Sequence, residues 1–392
     1  MPYSGHATGG LLSAGAYAGG VALFALTVGC ACAAASLIVG RRLQGLTGAA
    51  RLAALGLLSM IGVLVAEIVP LALTVLTRAT PAITSALVLV AVRLVVGPAR
   101  RVVERPVGGG WLEQVRTVEG TAAARVSLAL AGVGLLAAAT AWIAYLELAA
   151  GVHVQSVDAM GFHLPGVIRF IQTGSLWTTA QYIPGQAQAY YPQNGDMLLL
   201  AMALPWHSLA LVRYVDPVLL AVGGIALYAA CRELGAPGSS AALATLALLA
   251  IRPILAPALT ESLTDPAFVA GFACAILFLL RHGRTRARSD LVLAGLGLGV
   301  ALGSKWYGLT ALPSIIVAWL LVSLLDPGAR RSLLKLLGIL VGCALLTGGV
   351  WLVRNLVLTG NPIFETKVSL FGVTIFGAPP DPIRQQIGFS LA

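Results

Sequence analysis

The chain reads as an all-α, polytopic helical membrane protein with about ten transmembrane helices. Three observations carry that reading. Of its 392 residues, 58% are hydrophobic and only 10% charged, whereas soluble domains carry about 25% charged residues. Mean hydropathy is +0.91. Apolar stretches of about twenty residues, the length that crosses a bilayer core, recur from end to end. The short alternating segments of a membrane barrel do not occur.

The first span is expected at 18–39, closed by Arg41 and Arg42, and the second at 52–77, between Arg51 and Arg78. The N-terminal MPYSGHATGG lacks the positive region of a secretory signal, so the first span should be retained. A third span, 82–97, precedes a basic polar segment, 98–125, with Arg100, Arg101, Arg105, Arg116 and Arg125. The fourth, 126–149, delivers the chain to a long polar loop. Further spans are expected at 208–231, 239–257, 266–281, 290–304, 306–325 and 333–355. The segment 197–206 is too short to cross.

The net charge of +10 would point to nucleic acid in a soluble protein. Here it follows from short basic loops, the signal that orients membrane spans, and no nucleic-acid partner is expected. Arg41, Arg42, Arg51, the 98–125 cluster, Arg232, Arg281, Arg284, Arg286, Arg288, Arg330, Arg331 and Lys335 fall on one side. Arg78, Arg169, Lys305, Arg354, Lys367 and Arg384 fall on or near the other. The richer side is expected in the cytoplasm of a multi-pass cell-membrane protein. The loop 151–196, the turn at Glu261–Asp265 and the tail 356–392 would then share the extracytoplasmic face. The five cysteines, Cys30, Cys32, Cys231, Cys274 and Cys343, lie in or beside apolar runs and read as packing residues.

The loop from Ser156 to Asp196 is the longest polar interruption in the chain. Phe162, Val167, Ile168 and Ile171, with Arg169 and Gln172 between them, fit a short amphipathic helix along a membrane surface. Trp177, Tyr182, Tyr190 and Tyr191 suit an interfacial aromatic belt. Loops of this length inside a compact protein are more often functional than idle.

Several side chains in and around it can do chemistry. Asp158 can serve as general base toward a hydroxyl, or as the N-cap of the amphipathic helix. Glu261 and Asp265 stand four apart, and Asp265 equally suits a cap ahead of Pro266. Lys305 interrupts a hydrophobic stretch, where a charge costs about 2.5–3.5 kcal/mol and usually has a partner or ligand. With Arg354 it makes a candidate phosphate clamp; the alternative for each is snorkelling to the interface. Arg213 and Asp216 can pair on one helix face. One histidine near one aspartate is short of a closed ligand set, so neither a metal nor a cofactor is expected.

The run from Asp158 through His163-Leu164-Pro165, Arg169 and Tyr190-Tyr191-Pro192-Gln193-Asn194-Gly195 resembles the first outer loop of GT-C glycosyltransferases. The likeness is to the dolichyl-phosphate-mannose mannosyltransferase-like group. The GSKWYGL segment around Lys305 and WLVRNLVLTGNPIF, Trp351 to Phe364, are similar to that group as well. The resemblance spans about 125–370, and implies that residues 1–124 are an accessory transmembrane module with a basic loop, and 125–392 the core. It implies an inverting enzyme that moves a sugar from a polyprenyl-phosphate carrier to a glycan, lipid or protein acceptor hydroxyl, with Asp158 as base. Glu261 or Asp265 would be the second acidic position. His163, Arg169, Tyr190, Tyr191, Gln193, Asn194, Lys305, Arg354 and Asn361 would line the substrate. The rival reading, a transporter or a non-catalytic subunit of an envelope complex, accounts for the spans but not for the long acidic, aromatic loop.

Overall fold

The computed structural model describes residues 13–97, 122–151, 156–179, 188–251, 262–325 and 332–378. Among them twelve α-helices form. They are α1 Ala14–Arg42, α2 Gly48–Ala72, α3 Thr80–Val96, α4 Ala122–Gly151, α5 Leu164–Thr173, α6 Asn194–Ala203, α7 Val215–Glu233, α8 Gly238–Leu249, α9 Asp265–Thr285, α10 Arg288–Leu302, α11 Gly308–Leu324 and α12 Leu333–Thr359. An antiparallel hairpin, β1 Val368–Leu370 with β2 Val373–Phe376, follows α12.

A helix stands at each expected span, but the helices are unequal. Among the described residues five stretches are long and apolar enough to cross a membrane: Ala14–Arg42, Gly48–Ala72, Val212–Glu233, Asp265–Thr285 and Leu333–Thr359. Thr80–Val96, Gly238–Leu249 and Gly308–Leu324 are shorter apolar helices. The segment read as too short to span becomes α6, whose residues are almost all buried. The chain is a helical membrane protein.

Short turns make successive helices antiparallel, which sorts their ends. At one end Glu233 holds Arg281 at 2.7 Å and Arg284 at 2.8 Å. At the opposite end lie the start of α9, the α10–α11 turn and the end of α12. The loop helix sits at that end too: the Leu176 amide donates to the Leu71 carbonyl, and Trp177 Nε1 to that of Ala72 at 2.8 Å.

α10 is clamped between α9 and α12 because its sequence, LAGLGLGVAL, keeps side chains out of both contacts. A Cβ at Gly297 would lie 2.7 Å from the Gly271 carbonyl oxygen, and one at Gly295 would lie 2.6 Å from that of Leu340. In lipid, helix association rests on such close packing, since the solvent is as apolar as the side chains. The clamp fixes the end of α10, from which Lys305 projects.

The amphipathic loop helix forms, with a local irregularity. Residues 159–163 make a π turn that runs directly into α5, and the Leu164 amide donates to the Ala159 carbonyl. Pro165 explains it. Inside a helix its ring clashes with the carbonyl four residues back and offers no N–H; widening the preceding turn relieves both problems. Leu164, Val167 and Phe170 form the buried face of α5, which packs on α6. Gly174, left-handed at φ 62°, ends it.

Candidate active site

The widened turn aims His163 inward, where it is 3% exposed. Its Nδ1 lies 2.7 Å from Oδ1 of Asp196, itself 1% exposed in the first turn of α6. A carboxylate only accepts, so Nδ1 donates to it; an ammonium only donates, so Nε2 presents its lone pair to Lys305. Two donors face that lone pair: Lys305 Nζ and Thr264 Oγ1, each at 3.4 Å. Lys305 Nζ also lies 3.1 Å from Oδ2 of Asp265. Tyr307 donates its hydroxyl to Asp265 Oδ1 at 2.6 Å. Burial, and then the Asp265 carboxylate, push the Tyr307 phenol above its ordinary value, so it remains a donor.

Four separate stretches thus converge on one polar cluster: the π turn, α6, the start of α9 and the α10–α11 turn. Beneath it Asp216 is fully buried in the first turn of α7. No hydrogen bond joins its carboxylate to Arg213, the pairing their spacing suggested. Aromatic rings surround the cluster: Tyr191 meets Phe162 at 5.8 Å and Trp306 at 6.4 Å edge-on, and Phe268 meets Tyr307 at 4.5 Å. Trp306 Nε1 and Arg169 Nε are buried without a hydrogen-bond partner.

Asp158 is exposed at the head of the π turn and makes no capping bond. Ser156 does that work, its Oγ accepting from the Ala159 amide at 3.3 Å. The cap reading of Asp265 also gives way: Thr264 is the N-cap of α9, Asp265 is its first residue, and the carboxylate goes to Lys305 and Tyr307. Glu261 and Tyr182 lie outside the described residues.

Four residues expected to line the substrate have their polar groups taken up within the fold. Arg354 is fully buried. It donates to Gln193 Oε1 at 2.5 Å and to the carbonyls of Ala189 at 3.1 Å and Tyr191 at 3.2 Å, with its guanidinium 4.8 Å from the Trp351 ring centroid. Gln193 is thereby tied to α12. Asn194 accepts from Trp351 Nε1 at 2.8 Å and donates to the Thr347 carbonyl at 3.0 Å, while its amide donates to the Gly303 carbonyl at 2.7 Å. Asn361 closes the TGNP turn, donating to the carbonyls of Thr366 and Gly377 at 3.0 Å each. The expected clamp of Lys305 with Arg354 is therefore not assembled: Lys305 belongs to the cluster, and Arg354 braces the segment that carries Tyr190 and Tyr191. Tyr190 packs edge-on against Phe364 at 4.8 Å.

Asp196, Thr264 and Tyr307 do not stand out in the sequence as members of a site. Asp196 is separated from His163 by 33 residues, and only the packing of α5 on α6 unites them. Tyr307 carries a weak signal, two positions after Lys305. Among the described residues no group of three or more His, Cys, Asp or Glu side chains could hold a metal ion.

No curated protein and no solved structure matches the chain. A family model does. Residues 197–351, from within α6 through most of α12 and hence with Thr264, Asp265, Lys305 and Tyr307 but without Asp158, His163 and Asp196, match the dolichyl-phosphate-mannose-protein mannosyltransferase family. Residues 197–351 are thus similar to a GT-C type glycosyltransferase domain, within a helical membrane protein.

Proposed function

We propose that the protein transfers a sugar, with inversion, from a polyprenyl-phosphate carrier to an acceptor hydroxyl of the cell envelope on the extracytoplasmic face. The observation that carries this reading is Lys305. Its side chain is 15% exposed and its ammonium is held by Asp265 and His163. At 3.4 Å the His163 contact is the weaker of the two, and it is the one Lys305 can give up to a ligand oxygen. Asp158, exposed and without a capping duty, acts as base. It takes the acceptor hydroxyl proton as the acceptor oxygen forms its bond to the anomeric carbon. The bond from that carbon to the phosphate oxygen breaks, and the carrier phosphate leaves with the electron pair. Charge on that phosphate needs electrostatic stabilisation more than a proton, which suits Lys305, aided by Arg169. Trp306 Nε1 offers a further donor to the sugar. Tyr190 and Tyr191 bound the sugar site, and Gln193, Asn194, Arg354 and Asn361 hold the frame around it. Asp265, with Glu261 nearby in sequence, supplies the second acidic position.

Binding of farnesyl phosphate, a short polyprenyl phosphate, to the purified protein tests the donor site. Charge-assisted contacts contribute roughly 1.5–3 kcal/mol, so Lys305→Met should raise the dissociation constant about ten- to a hundredfold. Wild-type affinity in that variant would remove Lys305 from the donor site.

A further inference from the structure

The contacts of His163 hold one more donor than its ring can use. Nδ1 donates to Asp196, and the ammonium beside Nε2 can only donate, so that nitrogen has a single lone pair to offer. Lys305 Nζ and Thr264 Oγ1 both stand 3.4 Å from it. Both distances exceed the 2.7–3.2 Å or so of a full N–H···O bond, and a ring nitrogen accepts one donor well. Thr264 is 1% exposed and His163 3% exposed, so water does not readily fill in for either. We infer that Thr264 is a positioning residue that takes over His163 Nε2 when Lys305 turns from the imidazole to a ligand phosphate.

The exchange follows from the cost of a stranded group. In the free protein Lys305 divides its donors between Asp265 and His163. When a phosphate oxygen draws the ammonium away, Nε2 would be left as a buried, unpaired acceptor, a loss charged against ligand binding. The Thr264 hydroxyl is already in place and needs only a small shift to accept that role. The charged and titratable groups around the ring are Asp196 from α6, Asp265 from α9, Lys305 and Tyr307 from the α10–α11 turn, and Asp216 from α7 beneath them. Lys305 is thus switchable rather than locked, and the switch is built from a residue that need not touch the ligand.

This inference rests on the reading that a carrier phosphate binds Lys305, and the test separates the two. Thr264 also packs tightly: a Cβ at Gly195 would collide with its side chain. Thr264→Val preserves that shape and removes the hydroxyl, whereas Thr264→Ser keeps the hydroxyl and removes the methyl. Farnesyl phosphate affinity should fall about five- to tenfold in Thr264→Val, the worth of one hydrogen bond to a buried acceptor, and return to near wild type in Thr264→Ser. A packing role predicts the reverse order. Wild-type affinity in Thr264→Val, alongside weakened binding in Lys305→Met, overturns the exchange and leaves the donor site standing. Unchanged binding in Lys305→Met overturns the donor site itself, and the exchange with it.

Discussion

Asp158→Asn should slow sugar transfer by about a hundred- to ten-thousandfold, the range supplied by a positioned general base, while farnesyl phosphate binds with wild-type affinity. The substitution keeps the shape of the side chain and removes its proton affinity. Two features make it a clean change. The carboxylate is exposed and gives no capping bond, so folding does not depend on it. The cap belongs to Ser156, which the substitution leaves intact. Turnover is measured in proteoliposomes with a polyprenyl-phosphate sugar, and thermal unfolding is followed on the same preparation. Normal turnover in Asp158→Asn would move the base elsewhere, and Asp265 would be the next carboxylate to test.

Arg354→Met should destabilise the protein by at least about 3 kcal/mol, because each buried acceptor left without a donor costs about 1–3 kcal/mol. Gln193 Oε1 and the carbonyls of Ala189 and Tyr191 all lose their donor together. The damage should concentrate in the segment from Gln188 to Gln193, where hydrogen exchange would accelerate. Arg354→Lys should recover only part of the loss, since an ammonium lacks the planar fork that spans separate acceptors. A side chain whose main task was holding phosphate would behave otherwise: stability would survive in Arg354→Met, and only ligand affinity would fall.

The helical architecture was legible because each apolar run bounded by arginines is a direct record of bilayer thickness. Lys305 stood out for the same reason in reverse, as a charge set in an apolar stretch, and His163 through the resemblance carried by its His-Leu-Pro run. Arg354 was legible as a cation near a helix end, but not in its direction. Whether a side chain there turns to the opening or to neighbouring carbonyls depends on where residues 189–193 pack, and that is a tertiary fact. Asp196 illustrates the other limit. In Asn194-Gly195-Asp196 it looks like the polar end of a loop, yet α6 is buried almost throughout and carries the carboxylate to His163. The π turn was hidden as well, although Pro165 was its visible cause. The length of each helix proved less readable than its position: α3, α8 and α11 are shorter than the five full-length apolar stretches.

The central claim is that Lys305 receives the carrier phosphate, and a structure of the protein with farnesyl phosphate bound tests it most directly. The account predicts the phosphate within hydrogen-bond reach of Lys305 Nζ, with the ammonium withdrawn from His163 and the Thr264 hydroxyl drawn up to Nε2. A phosphate bound away from the cluster, with Lys305 still seated between Asp265 and His163, would contradict it.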